Sequence, residues 1–128
     1  MYYDRVSVEI IQKNIEKSLR MHKIKCKVTL EYNGRALSVI NNIEANQDNH
    51  LYMWIRLLPT QKGTYYVDIS NIVLPLSKRR QGVFNTLFTR LNNCEYVERT
   101  RIIYVCTPEM KNWCIKNNLT EFSASCYY

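Results

Sequence analysis

Between Asp4 and His22 the apolar residues Val8, Ile11, Ile15 and Leu19 share one face, with Lys13, Glu16, Lys17 and Arg20 elsewhere. That is the period of an amphipathic helix with its stripe in a core. Asp4 or Ser7 supplies the N-terminal cap. The period then changes to two. From Ile24 to Tyr32, Ile24, Cys26, Val28, Leu30 and Tyr32 alternate with Lys25, Lys27, Thr29 and Glu31, the pattern of a half-buried strand. Asn33-Gly34 follows, and a two-residue hairpin turn there sets Leu30 opposite Leu37 and Val28 opposite Val39. Both pairs fall on the buried face, so pattern and turn specify one register. Asn41 to Asn49 is polar and reads as a loop. Leu51 to Leu58 reads as a third strand, and Pro59 to Gly63 turns the chain.

The next strand, Thr64 to Leu74, changes phase. Tyr65, Val67 and Ile69 share one parity, and after Ser70-Asn71 the apolar positions Ile72 and Leu74 fall on the other. A β-bulge produces such a slip; burial on both faces, which makes parity uninformative, produces it equally well. Val83, Phe84, Leu87, Phe88 and Leu91 then form the stripe of a second helix. Arg101 to Cys106 reads as a short buried strand. Strand, helix and strand make a crossover unit, so this strand runs parallel to the one ending at Pro75. Thr107 caps a third helix with Pro108 at its first position. Met110, Trp113 and Cys114 face inward, Asn117-Asn118 ends the helix, and Leu119 to Tyr128 closes as a strand or hairpin. The expectation is one α/β (α+β) domain over residues 1–128 with a mixed sheet.

Composition narrows the class. With 46% hydrophobic residues the chain is not of disordered composition, and at 128 residues it buries roughly two thirds of its unfolded surface. No apolar run is long enough to span a bilayer and no leader pattern opens the sequence, so the expected location is the cytoplasm. The cysteines Cys26, Cys94, Cys106, Cys114 and Cys126 are odd in number and lack Cys-x-x-Cys spacing, which argues against a disulfide framework or zinc site. His22 and His50 are isolated, so no metal is expected. Lys and Arg number 18 against 11 acidic residues, a formal charge of +7, so the partner is anionic or carries an anionic handle.

One stretch concentrates that charge. Ile72-Val73-Leu74-Pro75 ends a strand, Lys78, Arg79 and Arg80 follow, and Gln81-Gly82-Val83 opens the second helix. Unpaired N–H groups and the helix dipole favour an anion there, and glycine lets a phosphate approach the backbone. A solvated basic turn before a core helix accounts for the same residues.

Arg79-Arg80-Gln81-Gly82-Val83-Phe84 resembles the Arg/Gln-x-x-Gly-x-Gly/Ala pyrophosphate loop of the GNAT superfamily of N-acetyltransferases, and Val73-Leu74-Pro75 is similar to the strand before it. The loop is one residue longer, with Phe84 in place of a small residue. Thr107 to Leu119 is similar in spacing to the family's Asn-x-x-Ala-x-x-Phe-Tyr-x-x-Asn-Gly-Phe, with identity at Asn117. Thr107 stands for Asn, Asn118 for Gly, and Cys114 where many members carry a catalytic Tyr. The two motifs cover about the second half of the chain. In the first half the family's usual first strand is missing or reduced. The chain looks like a small divergent member, of phage-encoded size.

The resemblance implies a mixed sheet with an antiparallel N-terminal meander, a splayed parallel central pair and helices on both faces. It implies acetyl transfer from acetyl-CoA to a primary amine by direct attack, without a metal. The pyrophosphate would sit on the N–H groups of Arg80, Gln81, Gly82 and Val83, countered by Arg79 or Lys78. Pantetheine would pair with the backbone of Ile72, Val73 and Leu74, and Thr107, which opens the second motif, would be a further cofactor-binding residue. A strand N–H would hold the oxyanion. A base must deprotonate the ammonium. Asp68 is nearest in sequence to the bulge, Glu44 and Glu109 are remoter, and a strand aspartate exposed at an edge is the plainer reading. Cys114 would protonate the departing thiolate, or is a buried structural cysteine. A non-catalytic GNAT-fold binding or inhibitor module is the first rival. A small basic nucleic-acid-binding protein ranks third, because the tyrosines form no compact aromatic-basic pattern along the chain. Neither the acceptor amine nor the choice between monomer and homodimer is readable.

Overall fold

Arg5–Met21 forms helix α1. The Asp4 side chain accepts a hydrogen bond from the Val6 N–H, and Val8, Ile11, Ile15 and Leu19 are buried as their spacing requires. The structure, a computed structural model, describes residues 4–41, 50–74 and 81–128. Lys78, Arg79 and Arg80 of the basic loop, and Glu44, lie outside the described residues.

Strands β1 (Cys26–Glu31), β2 (Ala36–Asn41), β3 (Tyr52–Pro59) and β4 (Tyr65–Val73) form an antiparallel meander. Leu30 faces Leu37 and Val28 faces Val39, the register expected from the alternation. The turn is wider than expected. The ladder ends at the Glu31–Ala36 pair, and Tyr32, Asn33 and Gly34 all have positive φ in a 3₁₀ turn closed by the Arg35 N–H donating to the Glu31 carbonyl. Tyr32 consequently leaves the buried face and is exposed.

Helix α2 (Val83–Asn92) carries the chain from β4 to strand β5 (Val97–Ile102), which lies parallel to β4. The expected strand at Arg101 to Cys106 therefore sits about one turn of chain too late. In Val97–Ile102, Val97, Thr100 and Ile102 are buried while Glu98 and Arg99 face water, the alternation of a strand covered on one side. Tyr104, with φ 55°, ends the extended run that Ile102, Ile103 and Val105 suggest. Helix α3 (Pro108–Lys116) follows, with the Thr107 side chain accepting from the Met110 N–H. Strands β6 (Glu121–Ser123) and β7 (Cys126–Tyr127) close the chain as a hairpin beside β5.

Among the described residues the strands form one sheet in the order β1-β2-β3-β4-β5-β7-β6, mixed, with β4 and β5 as its parallel pair. This is the expected class. The placement of the helices differs. Helix α1 meets α2 through His22 Nε2 and Thr86 Oγ1 at 2.8 Å and through Arg90 Nε donating to Asn14 Oδ1 at 3.1 Å. The crossovers through α2 and α3 step the same way across the sheet, and right-handed connections then put both helices on one face. The contacts agree: Trp113 of α3 meets Phe84 and Phe88 of α2 edge-on, with centroids 4.8 and 5.5 Å apart. All three helices share one core with Leu37, Met53, Ile55, Val67 and Ile69, rather than covering both faces. The Asp4 N–H also donates to Tyr65 Oη of β4 at 2.7 Å, tying the start of α1 to the middle of the sheet.

Candidate functional site

The phase slip in β4 is a bulge. Tyr52 pairs with Val73 but Trp54 with Ser70, so two steps on β3 match three on β4, and Asn71 has φ 53°. Asparagine is one of the few residues other than glycine that visits this conformation readily. The bulge returns Ile72 and Leu74 to the core side, where both pack partly buried against it. Val73 points outward.

The parallel ladder stops just before the bulge. Ile69 pairs with Ile102, and the Ile103 N–H donates to the Ile69 carbonyl at 2.9 Å. Tyr104 then turns the chain aside, and the Val105 N–H donates instead to the Ser125 carbonyl at 2.8 Å. Beyond Ile69, no strand lies beside the β5 edge of β4 among the described residues. The two parallel strands part there, as the resemblance implies. Tyr104 stands 73% exposed where they part.

Gly82 occupies the N-cap of α2 with φ 78° and brings no side chain to cap the helix. Among the described residues a Cβ at Gly82 meets no atom within 4 Å, and its left-handed backbone conformation is the one that favours glycine. The first N–H groups of α2 are thus left without a side-chain acceptor from the N-cap, the electronic setting for an anion. Val83 itself turns into the core. Thr107 spends its hydroxyl on capping α3.

The two residues expected to do chemistry are placed differently from that role. Cys114 is 0% exposed within the common core. Burial pushes its thiol from the ordinary 9.0 up to about 11. It keeps a proton at neutral pH but has no surface from which to deliver it. Tyr127, on the terminal hairpin, is also buried, and burial followed by the neighbouring Glu121 carboxylate raises its phenol. Asp68 is neither exposed nor at an edge. Arg101 holds its carboxylate in a fork, Nε to Oδ1 at 2.6 Å and a terminal nitrogen to Oδ2 at 2.9 Å, and Arg56 approaches Oδ2 at 3.5 Å. Both oxygens are thereby engaged by donors. Asp68 and Arg101 are neighbours because β4 and β5 pair in parallel at that register. Sequence reading missed Arg101; the alternation of Arg99 and Arg101 with Thr100 and Ile102 is the signal that places it on the side away from the helices.

A separate shallow cavity of about 260 Å³ lies at the opposite end of β4, lined by Asp4, Pro59, Thr60, Gly63 and Tyr65. It is far along the strand from the parting at Ile69. Among the described residues no helix is long and apolar enough to cross a membrane, and no group of three or more His, Cys, Asp or Glu is placed to hold a metal ion. No protein-family model matches the chain, and no curated protein is significantly similar to it.

Proposed function

We propose that this chain is a cytoplasmic N-acetyltransferase that takes acetyl-CoA as its donor and a primary amine as its acceptor. The observation that carries the reading is the parting of β4 from β5 at Ile69–Ile102, immediately before the bulge at Asn71. An extended amide-bearing arm such as pantetheine can add to an open strand edge as a further strand does. Ile72 and Val73 supply that edge, and the start of α2 at Gly82 and Val83 supplies N–H groups for the pyrophosphate. Lys78, Arg79 and Arg80 would add its counter-charges. A strand N–H at the bulge would stabilise the oxyanion as the amine attacks the thioester. Tyr104, exposed where the strands part, replaces Cys114 as the donor to the departing thiolate.

A second reading is favoured by the positions of Cys114 in the core and Asp68 in its guanidinium fork. In it the groove binds the cofactor without turnover, and the protein acts through contacts. One experiment separates the two. At a hundredfold over its dissociation constant, acetyl-CoA is expected to add roughly 2.7 kcal/mol of stability, visible as a rise in melting temperature of several degrees. Gly82→Glu is expected to abolish the rise, while Gly82→Asn, which tolerates left-handed backbone, keeps the fold. A rise together with thiol release in the presence of an amine panel supports the transferase; a rise without release supports the binding module. No rise at millimolar acetyl-CoA sinks both.

A further inference from the structure

The sheet face turned away from the helices carries a cluster that the linear sequence hides. By parity Tyr66 and Asp68 of β4, Arg99 and Arg101 of β5 and Phe122 of β6 share that face, with Tyr128 after β7 beside them. The Arg101 guanidinium, forked to Asp68, lies 4.4 Å from the Tyr66 ring centroid and 5.3 Å from that of Phe122. Arg99 lies over the Tyr128 ring at 3.9 Å, and the Phe122 and Tyr128 rings are 5.5 Å apart. Each guanidinium is thus held against an aromatic face, and the aromatic-basic pattern missing along the chain exists across its strands.

We propose that this face binds single-stranded nucleic acid. Arg56, Arg99 and Arg101 stand against the carboxylates of Asp68 and Glu98, the second already paired with Lys62, so the cluster keeps an excess of positive charge on a chain already at +7. Flat groups are present for bases: Arg99 is exposed on Tyr128, and Phe122 is 40% exposed. Unpaired bases stack on aromatic rings and on guanidinium planes while neighbouring cations take the phosphates. A second copy of the chain fits this face less well, because a two-fold contact would bring the arginine cluster against itself. A duplex fits less well too, because a flat sheet face enters neither groove and leaves stacked bases out of reach. The cluster shares no residue with the start of α2 at Gly82, so the proposal stands independently of cofactor binding.

The test is fluorescence anisotropy of the full chain with a labelled oligouridylate of about 12 nucleotides, and with a duplex of equal length. Single strands are expected to bind more tightly than the duplex. With about three phosphates neutralised, log affinity is expected to fall with log salt at a slope of about −2. Arg99→Ala and the charge-neutral change Phe122→Leu are each expected to weaken binding roughly tenfold, the scale of one lost stacking contact. Lys13→Ala with Lys17→Ala, on the exposed side of α1, is the charge control and is expected to change affinity by no more than about twofold. Retained binding by Gly82→Glu keeps the result separate from the acetyl-CoA site. Four results overturn the proposal: no binding of the single strand, equal binding of the duplex, an α1 control as damaging as Arg99→Ala, or Phe122→Leu without effect. Self-association lost on Arg99→Ala, read by sedimentation without oligonucleotide, also overturns it in favour of a second copy.

Discussion

On the helix side of the sheet, Leu37, Ile55, Val67 and Ile69 lose all contact with water, and their neighbours are other aliphatic chains and the stripes of the helices. On the other side Asp68 is as inaccessible as a core residue, yet what surrounds it is charge: the Arg101 fork, with Arg56 behind it, 51% exposed along its side chain. Burial therefore has two origins in one sheet. The first is removal of apolar surface from water, which is tolerant of which aliphatic group does it. The second is enclosure of a carboxylate by its own partners, which fails if either partner is lost.

That difference can be broken from each side. The largest effect is expected for Ile55→Ala, which empties volume between Leu37 and Ile69; it should cost about 4 kcal/mol by urea unfolding, while Ile55→Val costs about 1 kcal/mol. Asp68→Asn comes next. It keeps the shape but leaves Arg101 without its counter-charge, and about 3 kcal/mol is expected. The sharpening experiment is the double change Asp68→Leu with Arg101→Met, which replaces both partners. It is expected to recover most of that loss, because a paired charge need not outperform a packed apolar pair. A loss from the double change larger than from Asp68→Asn would show that apolar groups cannot fill this face.

The smallest expected effect is in alkali, and it probes the apolar side alone. Burial raises the thiols of Cys26 and Cys114 from 9.0 to about 11. Between these values the folded chain holds protons that the unfolded chain has released. The thiols' contribution is therefore fully present below pH 9 and is lost as pH rises through about 11. Melting temperature should fall across that window, and Cys114→Val should flatten the fall.

What could be read from the sequence follows the same division. The Leu30–Leu37 and Val28–Val39 register, the stripe of α2, the Thr107 cap and the bulge at Ser70-Asn71 are local patterns, each set by residues a few positions apart. The Asp68–Arg101 fork spans 33 positions and exists only because β4 and β5 pair in parallel at one register. No local pattern encodes that choice, so Asp68 looked like an exposed carboxylate. The misplaced β5 has a related cause: Ile102 to Cys106 is the more apolar run, but a strand covered on one side needs charges at alternate positions, as Val97–Ile102 has. At Cys114 the helical spacing gave the residue's depth, while the motif alone suggested a groove; the depth was the better guide.

The hydrogen bond from the Asp4 N–H to Tyr65 Oη joins residues 61 positions apart. The first turn of a helix ordinarily frays, and its amides exchange with solvent on their own schedule. Here the opening N–H is anchored to a tyrosine buried in the central strand of the sheet. Fraying of α1 is thereby coupled to displacement of β4, so the helix and the strand belong to one cooperative unit. Deuterium uptake at the start of α1 then reports on the opening of the sheet itself, and Tyr65→Phe, by removing the acceptor oxygen alone, returns that first turn to independent exchange.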